Sequence, residues 1–238
     1  MKNIFYFILP WVGLAMLPLS TRAQAEDYVC TISRSAIIIK EYTGAGGVVI
    51  IPGMIDSLPV VSIGKGAFSA YGSVANMTSV TIPVGVTTIG NSAFKGCTLL
   101  THVTIPASVI RIADQAFYDC IGLSEITIPG DVTLIAEAMF MNCTSLTNVT
   151  LSAAVADIQS SAFAGCSNLE GIHFKGDAPA LGQDVFKDAE KVTIYYPLGA
   201  MGWEKEFGGR PTCPRFPLAS PALVLRKEEE SVGYSGRR

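Results

Sequence analysis

Four cysteines, Cys97, Cys120, Cys143 and Cys166, recur at a spacing of 23 residues, and the chain's two histidines are His102 and His173. These are the side chains that nucleophilic, metal or disulfide chemistry would need. Zinc sites draw their thiolates from short C-x₂₋₄-C pairs, and the four cysteines are far too widely spaced for that. The histidines fall three repeats apart, roughly 14 Å at ~4.8 Å per strand step, so they cannot share a metal or act as one acid–base pair. Cys97 and His102 are close in sequence, but the apolar pattern turns the thiol inward and the imidazole outward. A nucleophile and its base must lie within hydrogen-bond reach. No H-E-x-x-H, G-x-S-x-G or phosphate-cradling glycine loop occurs, and Gly44-Ala45-Gly46-Gly47 has the composition of a turn. The expectation is a protein that is not an enzyme and takes no cofactor and no metal.

The elements that carry these residues repeat as one sentence. IPVGVTTIGNSAFKGCTLLTHVT begins at Ile82, IPASVIRIADQAFYDCIGLSEIT at Ile105, IPGDVTLIAEAMFMNCTSLTNVT at Ile128 and LSAAVADIQSSAFAGCSNLEGIH at Leu151. A shortened unit follows from Phe174, and a longer one precedes from Ile51. Self-similarity at ~23 residues is the mark of a stacked solenoid. Within a unit, Val103-Thr104-Ile105 alternates with the period of a half-buried strand. Proline at 52, 83, 106 and 129 lacks the N–H a ladder needs and marks where the strand stops pairing. Val86 and Ile89 form the next inward pair, a second short strand. Asn91 to Gly96 suits one tight turn of α- or 3₁₀-helix, capped by Asn or Ser and closed by Gly.

One phenylalanine per unit, Phe68, Phe94, Phe117, Phe140, Phe163 and Phe186, predicts a stacked aromatic spine. A single coil cannot bury its own apolar edge, and stacking several does. The cysteine row would lie beside that spine in a small, buried slot that Ala189 fills in the last unit. A disulfide wants Cβ atoms ~3.8 Å apart and converging, whereas stacked rungs hold them at ~4.8 Å. Free buried thiols are therefore expected, with bridging the alternative that needs backbone movement. Cys30 and Cys213 sit near opposite ends of the array and are expected to be unpaired.

The pattern IPxxVTxIGxxAFxGCxxLTxVTIP resembles the BspA-like leucine-rich repeats of bacterial surface and secreted proteins, over roughly residues 28–213. The resemblance implies an α/β-type repeat solenoid, a leucine-rich repeat array of ~23-residue coils, rich in β-strand with short helical or 3₁₀ turns. It also implies a role in adhesion or protein binding. Ile37 to Pro59 resembles the usual N-terminal lead-in of such arrays, and Val192 to Thr212 a closing segment. Exposed end rungs invite edge-to-edge pairing, and Tyr195, Tyr196, Trp203 and Phe207 are suited to covering the last one.

The organisation expected is a signal peptide over 1–25, an N-terminal cap over 26–50, the solenoid over 51–196, a C-terminal cap over 197–213 and a flexible tail over 214–238. Lys2, the apolar run Ile4 to Leu19 and Ala23-Gln24-Ala25 have the form of a cleavable export signal. The run is short for a membrane span, and Pro10 and Pro18 interrupt it. The formal net charge is −3, and removing the signal takes two of the 17 basic residues and none of the acidic ones. That balance argues against nucleic acid as a partner. Three N-x-[ST] patterns begin at Asn76, Asn142 and Asn148, as Asn-Thr-rich repeats produce by chance.

The candidate site is the outward face of the long strands. One row reads Ser79, His102, Glu125, Asn148 and Gly171, and varies in chemistry from rung to rung. The second reads Thr81, Thr104, Thr127, Thr150 and His173, mostly β-branched residues that pack on a pleat. A variable row on a regular sheet is how solenoids make binding faces; solvated strand positions are the plainer alternative. His102 beside Glu125 has the makings of an exposed ion pair. The expected protein is a monomeric, secreted or cell-surface module that binds a protein or a glycan, with a ligand-free spacer or assembly unit as the other reading.

Overall fold

The computed structural model describes residues 25–70 and 76–215. The export signal read over 1–25 lies outside this range except for Ala25, and the tail lies outside it beyond Arg215. A 3₁₀ turn at Ala25–Asp27 leads into the first strand. In chain order the strands are β1 (Tyr28–Ser33), β2 (Ala36–Tyr42), β3 (Gly47–Ile50), β4 (Met54–Ile55), β5 (Leu58–Ile63) and β6 (Met77–Thr81). Then come β7 (Thr88–Ile89), β8 (His102–Thr104), β9 (Arg111–Ile112), β10 (Glu125–Thr127), β11 (Leu134–Ile135) and β12 (Asn148–Leu151). The last are β13 (Asp157–Ile158), β14 (Gly171–Phe174), β15 (Ala180–Leu181), β16 (Thr193–Pro197), β17 (Glu206–Phe207) and β18 (Arg210–Arg215).

The chain winds as a coil in which a longer strand and a two-residue strand alternate. Successive longer strands stack in parallel, and so do successive short ones. Antiparallel pairing is confined to the ends: β1 covers β2, β4 folds on β5, and β17 folds on β18. These pairings cover β2 at one end and β18 at the other, while β3 remains the outer strand of its own sheet.

The corner around each phenylalanine is built from alternating bonds. Ala93, Lys95 and Cys97 donate their amides three residues back, to Gly90, Ser92 and Phe94. The amides between them, Ser92, Phe94 and Gly96, donate to the next coil at Asp114, Ala116 and Tyr118. The same alternation recurs in the following coils. It requires left-handed residues at fixed places: Ser92, Gln115, Ala138, Ser161 and Asp184 in one column, and Gly96, Asp119, Asn142, Gly165 and Asp188 in another. A helix keeps every residue at negative φ. The short helical turns expected here are therefore replaced by linked β-turns, because half of the corner amides are spent on the neighbouring coil rather than within the turn.

The phenylalanine spine is continuous. Ring centroids lie 5.2, 5.3, 5.5, 5.4 and 6.0 Å apart from Phe68 to Phe186, with planes within 22° of parallel. Tyr42 extends the stack by one ring, 5.2 Å from Phe68, and Tyr28 closes it edge-on. At the other end Gly208 and Arg210 lie against Phe186, Arg210 donating to its carbonyl at 2.7 Å. Trp203 packs on Phe174, Tyr196 and Phe207. The coils approach so closely at Gly90 that a Cβ there would stand 2.7 Å from the Gly64 carbonyl carbon.

All six cysteines are unpaired. The four of the row each donate a thiol hydrogen to a phenylalanine carbonyl of the coil before: Cys97 to Phe68 at 3.0 Å, Cys120 to Phe94 at 3.2 Å, Cys143 to Phe117 at 3.1 Å and Cys166 to Phe140 at 3.0 Å. The slot thus asks for a small side chain that packs as an apolar group yet offers one weak donor.

Candidate functional site

The longer strands set the face by simple alternation. Val80, Ile126, Val149, Ile172 and Ile194 point into the core, so their neighbours on either side point out. Register places Ser79 beside His102 and Thr81 beside Thr104. It places Glu125 beside Asn148, Asn148 beside Gly171, Thr127 beside Thr150, and Thr150 beside His173. His102, Glu125, Asn148, Thr104 and Thr127 are exposed; Ser79, Thr150 and His173 are half-buried. The ladder continues both rows beyond the residues the repeat pattern picks out. Val48 and Ile50 lie beside Ser79 and Thr81 at one end, both about half exposed at 50% and 49%. Tyr195 lies beside His173 at the other.

The two rows are interrupted once. The sheet β3-β6-β8 ends at His102–Thr104, and a second sheet starts at β10. The short strands part at the same step, between β9 and β11. Elsewhere Thr101 donates to Thr78, Thr147 to Ser124 and Thr193 to Glu170, while Ile82 donates to Thr104 and Ile128 to Thr150. The equivalent bonds from Ser124 to Thr101 and from Ile105 to Thr127 are not formed. On the short-strand side Ala113 donates to Ile89 and Gln159 to Ile135, but Ala136 does not reach Ile112. The corner bonds cross the step unbroken, with Gln115 donating to Glu137 and Phe117 to Met139. The third and fourth repeats are therefore joined along the spine and splayed along both strand faces.

Bulk at the corner differs at this step. Met139 is fully buried where Ala67, Ala93, Ala116 and Ala162 stand in four of the other coils and Val185 in the last. The splayed step leaves Val103 and Ile105 partly open and forms a cavity of about 420 Å³. His102, Thr104, Glu125, Thr127, Asn148 and Thr150 give it a polar rim, over a floor that includes Val103, Ile105 and Ile126. The ion pair expected between His102 and Glu125 does not form, because the two residues flank the opened step rather than a closed ladder. His102 Nδ1 instead shares a hydrogen bond with Thr101 Oγ1 at 2.8 Å.

Of the ten residues in the two rows, six gather around this cavity. Ser79 stands one strand away on the closed side. His173 belongs to a separate group at the C-terminal end. Its Nε2 is 3.4 Å from Asn148 Oδ1, and its ring stacks on Tyr195 at 4.8 Å and 7°. Gly171 makes that possible, since a Cβ there would meet Asn148 Oδ1 and His173 Nε2 at 3.0 Å and Tyr195 at 3.2 Å. Burial, then the nearby Arg215 charge, lowers the His173 pKa below its ordinary value.

Cys97 and His102 do not come together. Cys97 is buried, and burial pushes its thiol up to about 12. His102 faces solvent on the opposite side of the sheet backbone. Among the described residues no group of His, Cys, Asp and Glu converges as metal ligands would, and no helix is long and apolar enough to cross a membrane.

Comparison with known proteins places this architecture. Among solved structures, a leucine-rich repeat protein of T. pallidum is 29% identical, covers 73% of this chain and 80% of its own, and superposes with a TM-score of 0.66. A leucine-rich cell surface protein of Faecalibacterium prausnitzii is 30% identical over 73% of this chain and 54% of its own, with a TM-score of 0.56. The pneumococcal vaccine antigen PcpA shares the fold at 22% identity, over 72% of this chain and 48% of its own, with a TM-score of 0.60. A search of curated proteins finds no match. Residues 61–193 match six copies of the BspA type leucine rich repeat region, more than half of the chain, and the protein belongs to that family.

Proposed function

We propose that this chain is an exported, non-enzymatic binding module, and that its ligand, a protein or a glycan, docks on the strand face at His102, Glu125 and Asn148. The observation that carries this reading is the splayed step. At one place in an otherwise closed ladder, main-chain donors and acceptors are left unspent beneath a rim of imidazole, carboxylate, amide and hydroxyl groups. Unpaired buried or half-buried main-chain groups are costly, and a ligand that satisfied them would recover that cost. The volume, about 420 Å³, lies in the range of ordinary ligand clefts. Export is supported by the form of residues 1–25 and by the family's cell-surface member.

The test is a binding screen of the mature chain against matrix proteins and glycans, beside a variant with alanine at His102, Glu125 and Asn148. Saturable binding that the folded variant loses supports the strand face. Binding that survives the variant moves the site elsewhere on the coil.

A second reading, an assembly or spacer unit, is favoured by one observation. β3 is the outer strand of its sheet, and Val48 and Ile50 are exposed on it. An open apolar edge is a template for pairing with another chain. Light scattering separates the two: growth in mass with concentration supports assembly, and a constant monomer mass supports the module.

A further inference from the structure

At the C-terminal end of the face a second cavity, of about 290 Å³, is lined by His173, Phe174, Lys175, Tyr195, Tyr196, Pro197 and Arg215. Three basic side chains meet there and no carboxylate lines it, in a chain whose net charge is negative. The guanidinium of Arg215 lies 3.8 Å from the Tyr195 ring centroid, and the His173 imidazole stacks on the same residue. Tyr195 is thus held between two basic groups. The Arg215 main chain is fixed by the bond it accepts from Leu198 at 2.9 Å. Among the described residues its guanidinium has the Tyr195 ring as its neighbour and no hydrogen-bond acceptor.

We propose that this shelf is an acidic-saccharide site, taking the carboxylate or sulfate of a charged glycan between Arg215 and Lys175, with Tyr195 as its wall. An arginine fork matches the planar spread of a carboxylate or sulfate oxygen pair, and lysine adds a point charge. A glycan fits better than an acidic peptide because β16 is paired in parallel on both sides, with β14 and with β18. Its ladder groups are taken, and on the outer strand β18 the Thr212 amide is bonded to Lys205 while Pro214 has no N–H, so an extended peptide finds no edge donor at these positions. What the cavity offers instead is side-chain groups: the Arg215 guanidinium, the Lys175 ammonium, the His173 imidazole and the Tyr195 and Tyr196 rings. The site goes beyond the binding reading above and does not use His102 or Glu125.

The experiment is calorimetric titration of the full mature chain at low and moderate salt with four probes. They are a hyaluronan hexasaccharide carrying carboxylates, a heparin hexasaccharide carrying sulfates as well, the neutral chitohexaose, and hexaglutamate. The expected result is saturable binding of at least one acidic hexasaccharide, weakening with salt, and at least tenfold weaker in the double variant Lys175→Ala/Arg215→Ala. Arg215→Lys should retain part of the affinity, and a His102→Ala/Glu125→Ala variant should retain most of it. Comparing the two acidic sugars distinguishes carboxylate from sulfate recognition. Acidic sugars that bind no better than chitohexaose, or equally well to the folded double variant, overturn the proposal. Hexaglutamate binding as tightly as the sugars, and lost with the same pair, overturns the glycan assignment.

Discussion

Raising the pH should unfold this protein through its buried thiols. Burial pushes Cys97 and Cys166 up to about 12 and raises Cys120 and Cys143 well above the ordinary thiol value of 9.0. The folded state therefore holds the neutral thiol, while the unfolded chain ionises freely. The stability these groups lend is whole below about pH 9 and is lost as pH climbs toward their folded values. One unit above the unfolded value costs about 1.4 kcal/mol per thiol, so four of them cost roughly 5–6 kcal/mol at pH 10. That is comparable to the whole stability of an ordinary domain, about 5–15 kcal/mol. Tyr28 and Tyr42 are also raised, by burial first, but with an unfolded value of 10.0 they add only about 0.4 kcal/mol each at pH 10. Urea titrations followed by circular dichroism at pH 7.5, 9 and 10, under reductant, measure the loss. A Cys120→Ala/Cys143→Ala variant should be less stable at pH 7.5 yet lose only about half as much on going to pH 10. An unchanged urea midpoint up to pH 10, or an undiminished loss in the variant, would refute the reasoning.

Phe117→Ala removes a fully buried ring from the middle of the spine and should cost ~3–5 kcal/mol in urea unfolding, whereas Thr127→Ser on the exposed row should change stability by less than ~0.5 kcal/mol. Ser152 stands where other coils carry proline, its amide makes no bond, and its buried hydroxyl has no partner. Ser152→Pro should raise stability by ~1 kcal/mol, seen as a higher melting temperature, by restricting the unfolded chain and removing an unsatisfied group. Hydrogen exchange should find the Ile105 and Ser124 amides far less protected than those of Ile82 and Thr147. Met139→Ala should narrow that difference if the extra bulk holds the step open; equal protection throughout the native protein would contradict the splayed step itself.

Much of this protein is legible one repeat at a time. The phenylalanine and cysteine rows, the Ile-Pro corners and the alternation of strand residues are local patterns, and repetition fixes their register without knowledge of the fold. The same reasoning put His102, Glu125 and Asn148 on the exposed side of their strands, because a period of two leaves no choice of face, whereas Gly171 of the same row is buried beneath Asn148, His173 and Tyr195. The corner was misjudged as helical because its composition, Asn-Ser-Ala-Phe-Lys-Gly, satisfies a helical turn equally well. Only the demand of the adjacent coil for every second amide decides otherwise. The aromatic Tyr42 extends the spine from a segment that does not repeat, so no periodic signal announced it. The ends of the strand face, Val48 and Ile50 at one side and Lys175 and Arg215 at the other, carry no periodic signal for the same reason, and Tyr195, read as a cover for the last rung, instead continues the ladder beside His173. The open step between His102 and Glu125 is the deepest case. Nothing in either strand's own sequence marks it, since both carry the ordinary pattern. Sequence by itself determined the coil, the core rows and which side chains face outward, because those follow from nearest-neighbour periodicity. Where the ladder opens and which charges meet at its end were decided by tertiary structure, because they depend on how the bulk and main-chain bonds of successive coils add up.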